Sequence, residues 1–145
     1  MEGIAVVIVN FNSGELLARC LESLGRQQLA PRRIVVVDNA STDGSADVAA
    51  RCAGVQLIRE HANGGFAAAM NTGVAAAADC AWIAALNPDA AAAPDWISVL
   101  DAATREDPDC ASFACRLLDA QEPDRLDGAG DVYHLSGLPW RHLHG

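Results

Sequence analysis

Asparagine and aspartate residues follow each of four apolar segments in this chain. Each of them alone has a turn-forming explanation, because Asn and Asp side chains satisfy nearby backbone groups. Four in succession instead predict a shared site, on strands that are otherwise almost wholly apolar. The four polar ends are Asn10-Phe11-Asn12, Asp38 to Asp43, Asn63-Gly64-Gly65, and Asn87-Pro88-Asp89.

These residue types suit the recognition of a nucleoside diphosphate. An aspartate at one strand end can accept a hydrogen bond from a base N–H, and an aromatic ring such as Phe11 can cover the base face. A second aspartate beside an asparagine offers hard oxygen ligands, and Mg²⁺ typically takes one or two carboxylates together with substrate phosphates. The usual phosphate loops are missing, since the first strand ends in "NFNSG". The sequence therefore argues against a dinucleotide dehydrogenase and against a P-loop NTPase.

The elements that must position these residues alternate along the chain. Continuous apolar runs predict strands over 4–9, 33–38, 55–60, 80–86 and 110–118. Helical patterns lie between them, with inward stripes predicted at Leu16, Leu17, Cys20, Leu21 and Leu24 in the first helix and at Phe66, Met70 and Val74 in the third. This alternation predicts an α/β fold of three layers (α/β/α) with a mainly parallel sheet, in which ligands bind beyond the carboxyl ends of the strands.

Composition and charge narrow the function classes. The 145 residues allow one domain with a real core, and 51% of them are hydrophobic. Ten basic against 19 acidic residues give a net charge of −9, which argues against nucleic acid as a partner. No stretch reaches the length of a transmembrane segment, and the five scattered cysteines predict buried thiols in a reducing cytoplasm.

Four motifs in order resemble the family-2 glycosyltransferases with a GT-A fold, and most closely their rhamnosyltransferase-like members. The resemblance covers residues 4 to 100 well and the later stretch loosely. It implies a nucleotide-diphosphate sugar donor, a divalent metal (Mg²⁺ or Mn²⁺), a saccharide or lipid-linked acceptor, and transfer to its hydroxyl with inversion. The motifs are "VVIVNFNSGELLARCLESL", "IVVVDNASTDGS", "NGGFAAAMNTG" and "ALNPD".

The same resemblance implies a role for each matching position. The donor-binding set is Val9, Asn10, Phe11, Asp38, Asn39, Asn63, Gly65, Asn71, Asn87 and Asp89. Within it, Asp38 would bond the base. Asp89 would be the metal ligand, since "NPD" stands where the family has Asp-x-Asp, and Asn87 would contact the ribose or the metal's water.

Two departures from the family pattern bear on the expected activity. Many relatives carry an arginine where this chain has Met70, so one phosphate or base contact is expected to be missing or supplied elsewhere. The family's general base lies further along than Gly145, so no catalytic base is assigned. The predicted organisation is a nucleotide-sugar-binding domain over 1–118, and the start of a truncated acceptor-side region over 119–145. Truncation further predicts self-association through an exposed apolar face.

Several alternatives remain open at this point. Asp89 could be a plain turn residue, Asp38 an Asx-turn, Phe11 a core aromatic, and Gly64-Gly65 a tight turn into a helix. Asp43 is assigned to helix capping. The alternative to a transferase is a binding module that holds a nucleotide sugar without turnover, whereas a nucleotidylyltransferase is disfavoured because "NFNSGE" lacks a Gly-rich start with an arginine. A cytoplasmic location, with the parent protein at the inner face of the membrane, is expected from the resemblance.

Overall fold

The computed structural model describes residues 3–122, 124–128, 131–133 and 139–141, the last two segments as backbone only. The chain divides into two compact units, Met1–Glu106 and Asp107–Gly145. The first unit holds four strands and four helices in alternation. They are β1 Ile4–Asn10, α1 Glu15–Gly25, β2 Arg33–Asp38, α2 Ser45–Arg51, β3 Val55–Arg59, α3 Phe66–Ala76, β4 Trp82–Ala85 and α4 Trp96–Glu106.

The four strands form one parallel sheet in the order β3-β2-β1-β4. The chain therefore advances outward from β1 to β3 and then returns to the other side of β1. Because parallel crossovers are right-handed, this reversal sends the helix that makes the return to the opposite face of the sheet. The reversal also makes the gap between β1 and β4 the topological switch point, which is where open α/β sheets bind ligands.

Both faces of the sheet are covered, as the continuous apolar strands predict. Ile4, Val6 and Ile8 of β1 pack with α1, α2 and α4. Ala5 and Val7 of the same strand pack with α3 on the other face. The predicted three-layer α/β/α architecture with a mainly parallel sheet is confirmed.

The inward face of α3 differs from the predicted stripe. Phe66 and Val74 are exposed, at 58% and 38%, and Met70 is only partly buried. The buried residues of α3 are Ala69 and Gly73. A Cβ added at Gly73 would overlap Val7 Cγ1 of β1, so the helix lies on the sheet closely enough to exclude even a methyl group there. The stripe prediction was wrong because the smallest residues of α3, and not its largest, pack against the sheet. In α1 the predicted stripe is buried except for Leu16, which is 45% exposed.

The second unit contains two short antiparallel pairs. Strand β5 (Leu117–Leu118) pairs with β6 (Leu126–Gly128), and β7 (Asp131–Tyr133) pairs with β8 (Pro139–Arg141). The predicted strand over 110–118 is therefore wrong apart from its last two residues. Exposed and half-buried residues alternate over 112–116, so this apolar run lacks the cover on both faces that a parallel-sheet strand has. The predicted domain boundary at residue 118 stays a prediction.

Two sequence-based expectations concern the cysteines and the membrane. All five cysteines are free, but only Cys20 and Cys80 are buried and Cys110 is exposed, so the expectation that all five are buried was wrong. None of the helices in the described ranges exceeds 11 residues, far short of the roughly 20 that would cross a bilayer.

Candidate functional site

Alternation and register bring Asn10 and Asp38 together. In β1 the even-numbered residues Ile4, Val6 and Ile8 face α1 and α2, so Asn10 at the end of the strand faces the same way. In β2, Val36 faces those helices, and Asp38 does so as well. The register pairs Asn10 directly with Asp38. Two polar side chains thus end adjacent strands on one face, and both are buried, with 0% and 3% exposed.

The Asn10 amide is the centre of a buried hydrogen-bond network. Its Nδ2 donates to Asp38 Oδ1 and to Ser45 Oγ, both at 2.8 Å, and lies 3.0 Å from Ser41 Oγ. The network thereby joins the ends of β1 and β2 to the first residue of α2. The oxygen of the same amide, Asn10 Oδ1, is buried and has no hydrogen-bond partner among the described residues.

Asp38 is held as a hydrogen-bond acceptor at the tip of β2. Besides the Asn10 amide on Oδ1, its Oδ2 accepts the Ser41 backbone N–H at a long 3.3 Å. Part of the Asx-turn alternative is therefore present. An ionised carboxylate has about four acceptor positions, so two contacts leave capacity for a further donor.

The loops after β1 and β2 are joined by a second set of hydrogen bonds. Asn12 adopts a positive φ of 52°, with its Oδ1 accepting the Thr42 N–H at 2.8 Å. Asp43 accepts the Gly14 N–H at 2.8 Å and the Ser45 hydroxyl at 2.6 Å. The Ser45 donors and the Gly14 N–H hold the pKa of the Asp43 carboxyl below its usual value. Asp43 thus contacts the start of α2, as the capping assignment predicts, and also ties the two loops together.

Phe11 lies between the anchored residues Asn10 and Asn12, and 49% of its surface is exposed. The alternative reading as a core aromatic is wrong. Val9 is the reverse case, since its side chain is 7% exposed and packs in the core beneath α3. An exposed ring on a doubly anchored loop is available to a flat ligand.

A clamp connects the tip of β2 to the start of α3. Asn39 Nδ2 donates to Asn63 Oδ1 at 2.8 Å, and Asn39 Oδ1 accepts the Gly64 N–H at 3.1 Å. Asn63 Oδ1 also accepts the Gly65 N–H, at 2.9 Å, and Gly65 has a φ of 85°. Asn63 thus contacts two other predicted donor-binding residues, Asn39 and Gly65. Asn71 is exposed on α3, and no hydrogen bond joins it to the other candidates among the described residues.

The "NPD" segment forms a tight turn over α1. The Ala90 N–H bonds to the Asn87 carbonyl at 3.1 Å, which leaves Pro88 and Asp89 at the two central positions. Cys20 Sγ lies 3.6 Å from the same carbonyl. Burial, and secondly the negative charge of Asp89, raise the pKa of the Cys20 thiol to about 12. The side chains of Asn87 and Asp89 are exposed, so the turn reading and the ligand reading are compatible.

Ser23 of α1 and Gln27, two residues beyond the end of that helix, hold the segment that follows this turn. Ser23 Oγ accepts the Ala92 N–H at 3.0 Å. The Gln27 amide donates to the Ala93 carbonyl at 2.7 Å and accepts the Ile97 N–H, in the first turn of α4, at 3.0 Å. The turn that presents Asp89 is therefore fixed at both ends.

The strand order places the two candidate aspartates on either side of β1. Neighbouring strands lie about 4.8 Å apart, so the tips of β2 and β4 are separated by roughly 10 Å. No group of three or more His, Cys, Asp or Glu residues able to hold a metal occurs within the described ranges. Asp89 therefore offers a single carboxylate, and a bound cation would need further oxygens from its ligand.

Sequence reasoning missed the residues that organise the site. Ser41 and Ser45 lie within "DNASTDGS" without a predicted role of their own, and Asn12 is predicted only as part of a strand tip. The available signal was the density of hydroxyl and amide groups in the two loops. It could not show that the loops hydrogen-bond to each other.

Comparison with known proteins identifies the family. The model of the family described as "Glycosyl transferase family 2" matches residues 5–126. An N-acetylglucosaminyl-diphospho-decaprenol L-rhamnosyltransferase of Mycobacterium tuberculosis is 34% identical over 112 residues, which are 69% of this chain and 36% of the relative. A Bacillus subtilis protein described as an uncharacterized glycosyltransferase, EpsJ, is 32% identical over 78 residues, covering 51% of this chain and 22% of the relative. The chain thus spans about a third or less of the length of these relatives.

Solved structures share the fold. The S. aureus TarS 1–349 structure in complex with UDP has a TM-score of 0.65 at 20% identity, covering 72% of this chain and 32% of that one. The mannosyltransferase PcManGT from Pyrobaculum calidifontis, in complex with GDP-Man and Mn²⁺, has a TM-score of 0.62 at 23% identity, covering 81% and 36%. These likenesses support the fold, and the family match extends across both the strand tips and the start of the second unit. The chain belongs to glycosyl transferase family 2.

Proposed function

We propose that this chain carries the donor-binding part of a glycosyltransferase that moves a sugar from a nucleotide-diphosphate sugar to a hydroxyl acceptor with inversion. The observation that carries the proposal is the convergence of polar groups along the carboxyl edge of one parallel sheet. Asn10 and Asp38 are adjacent and buried, Phe11 is exposed beside them, and Asp89 is exposed on the other side of β1.

The part of the sheet's carboxyl edge around Asp38 and Phe11 suits the base of a nucleotide. Asp38 has acceptor capacity left, and a base N–H supplies a donor of the right kind. Phe11 offers a ring face next to it for stacking. Because Asn10 and the loop hydrogen bonds hold these groups before any ligand arrives, little ordering is needed on binding.

The Asp89 end of the edge suits a diphosphate with a divalent cation. One exposed carboxylate fits an ion such as Mg²⁺ or Mn²⁺ that completes its shell with phosphate oxygens and water. We therefore propose Asp89 as the protein ligand, with Asn87 near the ribose or the metal's water. A bound cation would stabilise negative charge on the departing diphosphate. With Asp89 the only protein ligand we propose, cation binding is expected to depend on the nucleotide.

The acceptor and location are proposed from the relatives. The Mycobacterium tuberculosis relative is described as acting on a diphospho-decaprenol-linked N-acetylglucosamine. We propose a saccharide or lipid-linked acceptor for this chain too, with the parent protein cytoplasmic at the inner face of the membrane. Self-association through exposed apolar residues such as Phe66 and Val99 also stays a prediction, which light scattering over a concentration series would test.

The proposal is tested by calorimetric titration of UDP, dTDP and GDP, each with and without Mn²⁺. The variants are Asp89→Ala, Asp38→Asn and, as a matched control, Asp47→Ala. Asp47 is another exposed aspartate of the same unit, on α2, and it forms an ion pair with exposed Arg59. We expect one nucleotide to bind the wild type more tightly with Mn²⁺. Asp89→Ala should remove the gain from Mn²⁺, Asp38→Asn should weaken binding with or without metal, and Asp47→Ala should behave as the wild type.

Two outcomes would count against this assignment. If no nucleotide binds, the strand-edge site is not a donor site in this chain. If Asp89→Ala keeps the full effect of Mn²⁺, the metal site lies elsewhere. Release of free sugar from the matching nucleotide sugar then separates a turning-over enzyme from the binding-only alternative, since only the enzyme releases it and loses that activity with Asp89→Ala.

A further inference from the structure

We propose that Ser45 and Asp43 are positioning residues for base recognition, acting through Asn10 on the Asp38 carboxylate. Three hydrogen bonds connect the four side chains: the Ser45 hydroxyl donates to Asp43, and the Asn10 amide donates to Ser45 and to Asp38. This inference rests on the proposed function, because Asp38 is taken as the group that reads the base. It adds residues that contact neither base nor phosphate in that proposal.

The number of available protons decides which atom donates in each of these hydrogen bonds. Ser45 Oγ lies 2.6 Å from Asp43 Oδ1, and an ionised carboxylate only accepts, so the single hydroxyl proton of Ser45 is donated to Asp43. The hydrogen bonds to Asp43 keep its pKa low, which favours that ionised state. Ser45 Oγ then presents only lone pairs to Asn10. The Asn10 atom that lies 2.8 Å from it must therefore be the amide nitrogen.

The orientation of the Asn10 amide in turn fixes the orientation of the Asp38 side chain. Asn10 Nδ2 has two hydrogens, and its two shortest contacts are with Ser45 Oγ and Asp38 Oδ1, each at 2.8 Å, while Ser41 Oγ lies at 3.0 Å. The reversed amide would place an oxygen against the Asp38 carboxylate and repel it. Asp38 is thus held in one rotamer with a single oxygen occupied by a strong donor.

The unpartnered Asn10 Oδ1 supports this reading. An amide that served only the stability of the loop would be expected to satisfy both its ends, since buried polar atoms almost always have partners. Here the buried Oδ1 has no partner among the residues that the structure describes, whereas the nitrogen end has three acceptors within 3.0 Å. The arrangement therefore gives up one hydrogen bond while keeping Asp38 oriented.

The test separates positioning from general stability by comparing ligands with and without a base. The probes are the nucleoside diphosphate that binds the wild type and inorganic pyrophosphate, both with Mn²⁺. Ser45→Ala removes the lone pairs that orient Asn10, and Ser45→Thr retains the hydroxyl. The matched control is Ser98→Ala, since Ser98 also lies near a helix start but its hydroxyl donates to a backbone carbonyl, that of Asp95.

We expect Ser45→Ala to weaken nucleotide binding about five- to tenfold while leaving pyrophosphate binding unchanged, because one neutral hydrogen bond is lost from the base end alone. Ser45→Thr should restore most of the affinity, and Ser98→Ala should match the wild type. Because Asp43 is exposed, Asp43→Ala serves as a second variant if Ser45→Ala does not fold, and the same split between the two ligands is expected.

Three results would overturn the inference. An equal loss for both ligands would mean that Ser45 only supports the fold. Unchanged nucleotide affinity in Ser45→Ala, beside a clear loss in Asp38→Asn, would refute the positioning role and leave the proposed function intact. A wild-type chain that binds pyrophosphate but no nucleotide would remove the proposed function together with this inference.

Discussion

Replacing Gly73 with alanine tests how closely α3 lies on the sheet. The added Cβ would overlap Val7 Cγ1 and come within 3.2 Å of Val37 Cγ2. Both valines are fully buried in the two central strands, so neither has room to withdraw. The helix itself must therefore move away from the sheet.

The expected loss of stability is the difference of two terms. An extra methyl group in a packed core costs about 1–3 kcal/mol, and an overlap with two immobile side chains belongs at the upper end. Alanine gains about 1 kcal/mol over glycine in a helix interior. The free energy of unfolding should thus fall by about 2 kcal/mol, which lowers Tm by about 6 °C in a chain of this size.

The assay is thermal and urea unfolding followed by circular dichroism, with Gly25→Ala as the matched control. Gly25 ends α1, and a Cβ there meets nothing within 4 Å. The control should raise stability by about 0.5–1 kcal/mol through the reduced entropy of the unfolded chain. If Gly73→Ala is as stable as Gly25→Ala, α3 does not pack against the sheet as described.

A second readout links this packing to the site. Movement of α3 carries the segment before it, and with it the hydrogen bond from Asn39 to Asn63 at 2.8 Å. Nucleotide binding in the proposed site should therefore weaken in Gly73→Ala and stay unchanged in Gly25→Ala. Weakened binding in both variants would contradict this link.

Three further predictions concern stability and reactivity in the first unit. Hydrogen bonds from Arg33 hold the Asp79 pKa below its usual value, so the ion pair adds stability above the unfolded-state pKa and loses it as the pH falls through the folded-state pKa. Asp79→Asn should therefore unfold at a lower urea concentration than the wild type at pH 7. In strong acid the two proteins should unfold at the same urea concentration. Because the Cys20 pKa is raised to about 12, native protein at pH 8 should be alkylated by iodoacetamide at exposed Cys110 well before Cys20, as peptide mass mapping would show. Ile97→Ala removes a side chain that is 1% exposed and should cost about 2–5 kcal/mol, whereas a urea midpoint like that of the wild type would show that α4 is not docked.

The four strands and their polar tips could be read from the amino-acid sequence. Continuous runs of valine and isoleucine located β1 and β2 to within one residue, because only strands buried on both faces are uniformly apolar. The same reasoning failed over 110–118, where a mostly apolar segment interrupted by Ser112 and Arg116 lies outside the parallel sheet. An apolar run reports the hydrophobicity of a segment and carries no information about what will cover it.

Helix faces made of small residues were also beyond sequence reasoning. The expected stripe of α3 used its large residues, although Gly73 and Ala69 make the contact with the sheet. Glycine has no side chain and so adds nothing to a hydrophobic pattern. The reason for a glycine at position 73 becomes visible only when the opposing Val7 is known.

The features of the candidate site also fall into those that the sequence determined and those that the tertiary structure decided. Local sequence determined that Asn10, Asp38 and Asp89 end strands, since strand ends follow from hydrophobicity and turn chemistry. Only the tertiary structure decided that Asn10 bonds to Asp38, that Ser45 bonds to both Asn10 and Asp43, and that the order β3-β2-β1-β4 places Asp89 on the other side of β1. The contacts of Asn10 with Asp38 and Ser45 join residues 28 and 35 positions apart. Strand order and register place these residues in space, and both depend on packing of the whole sheet and not on any one segment.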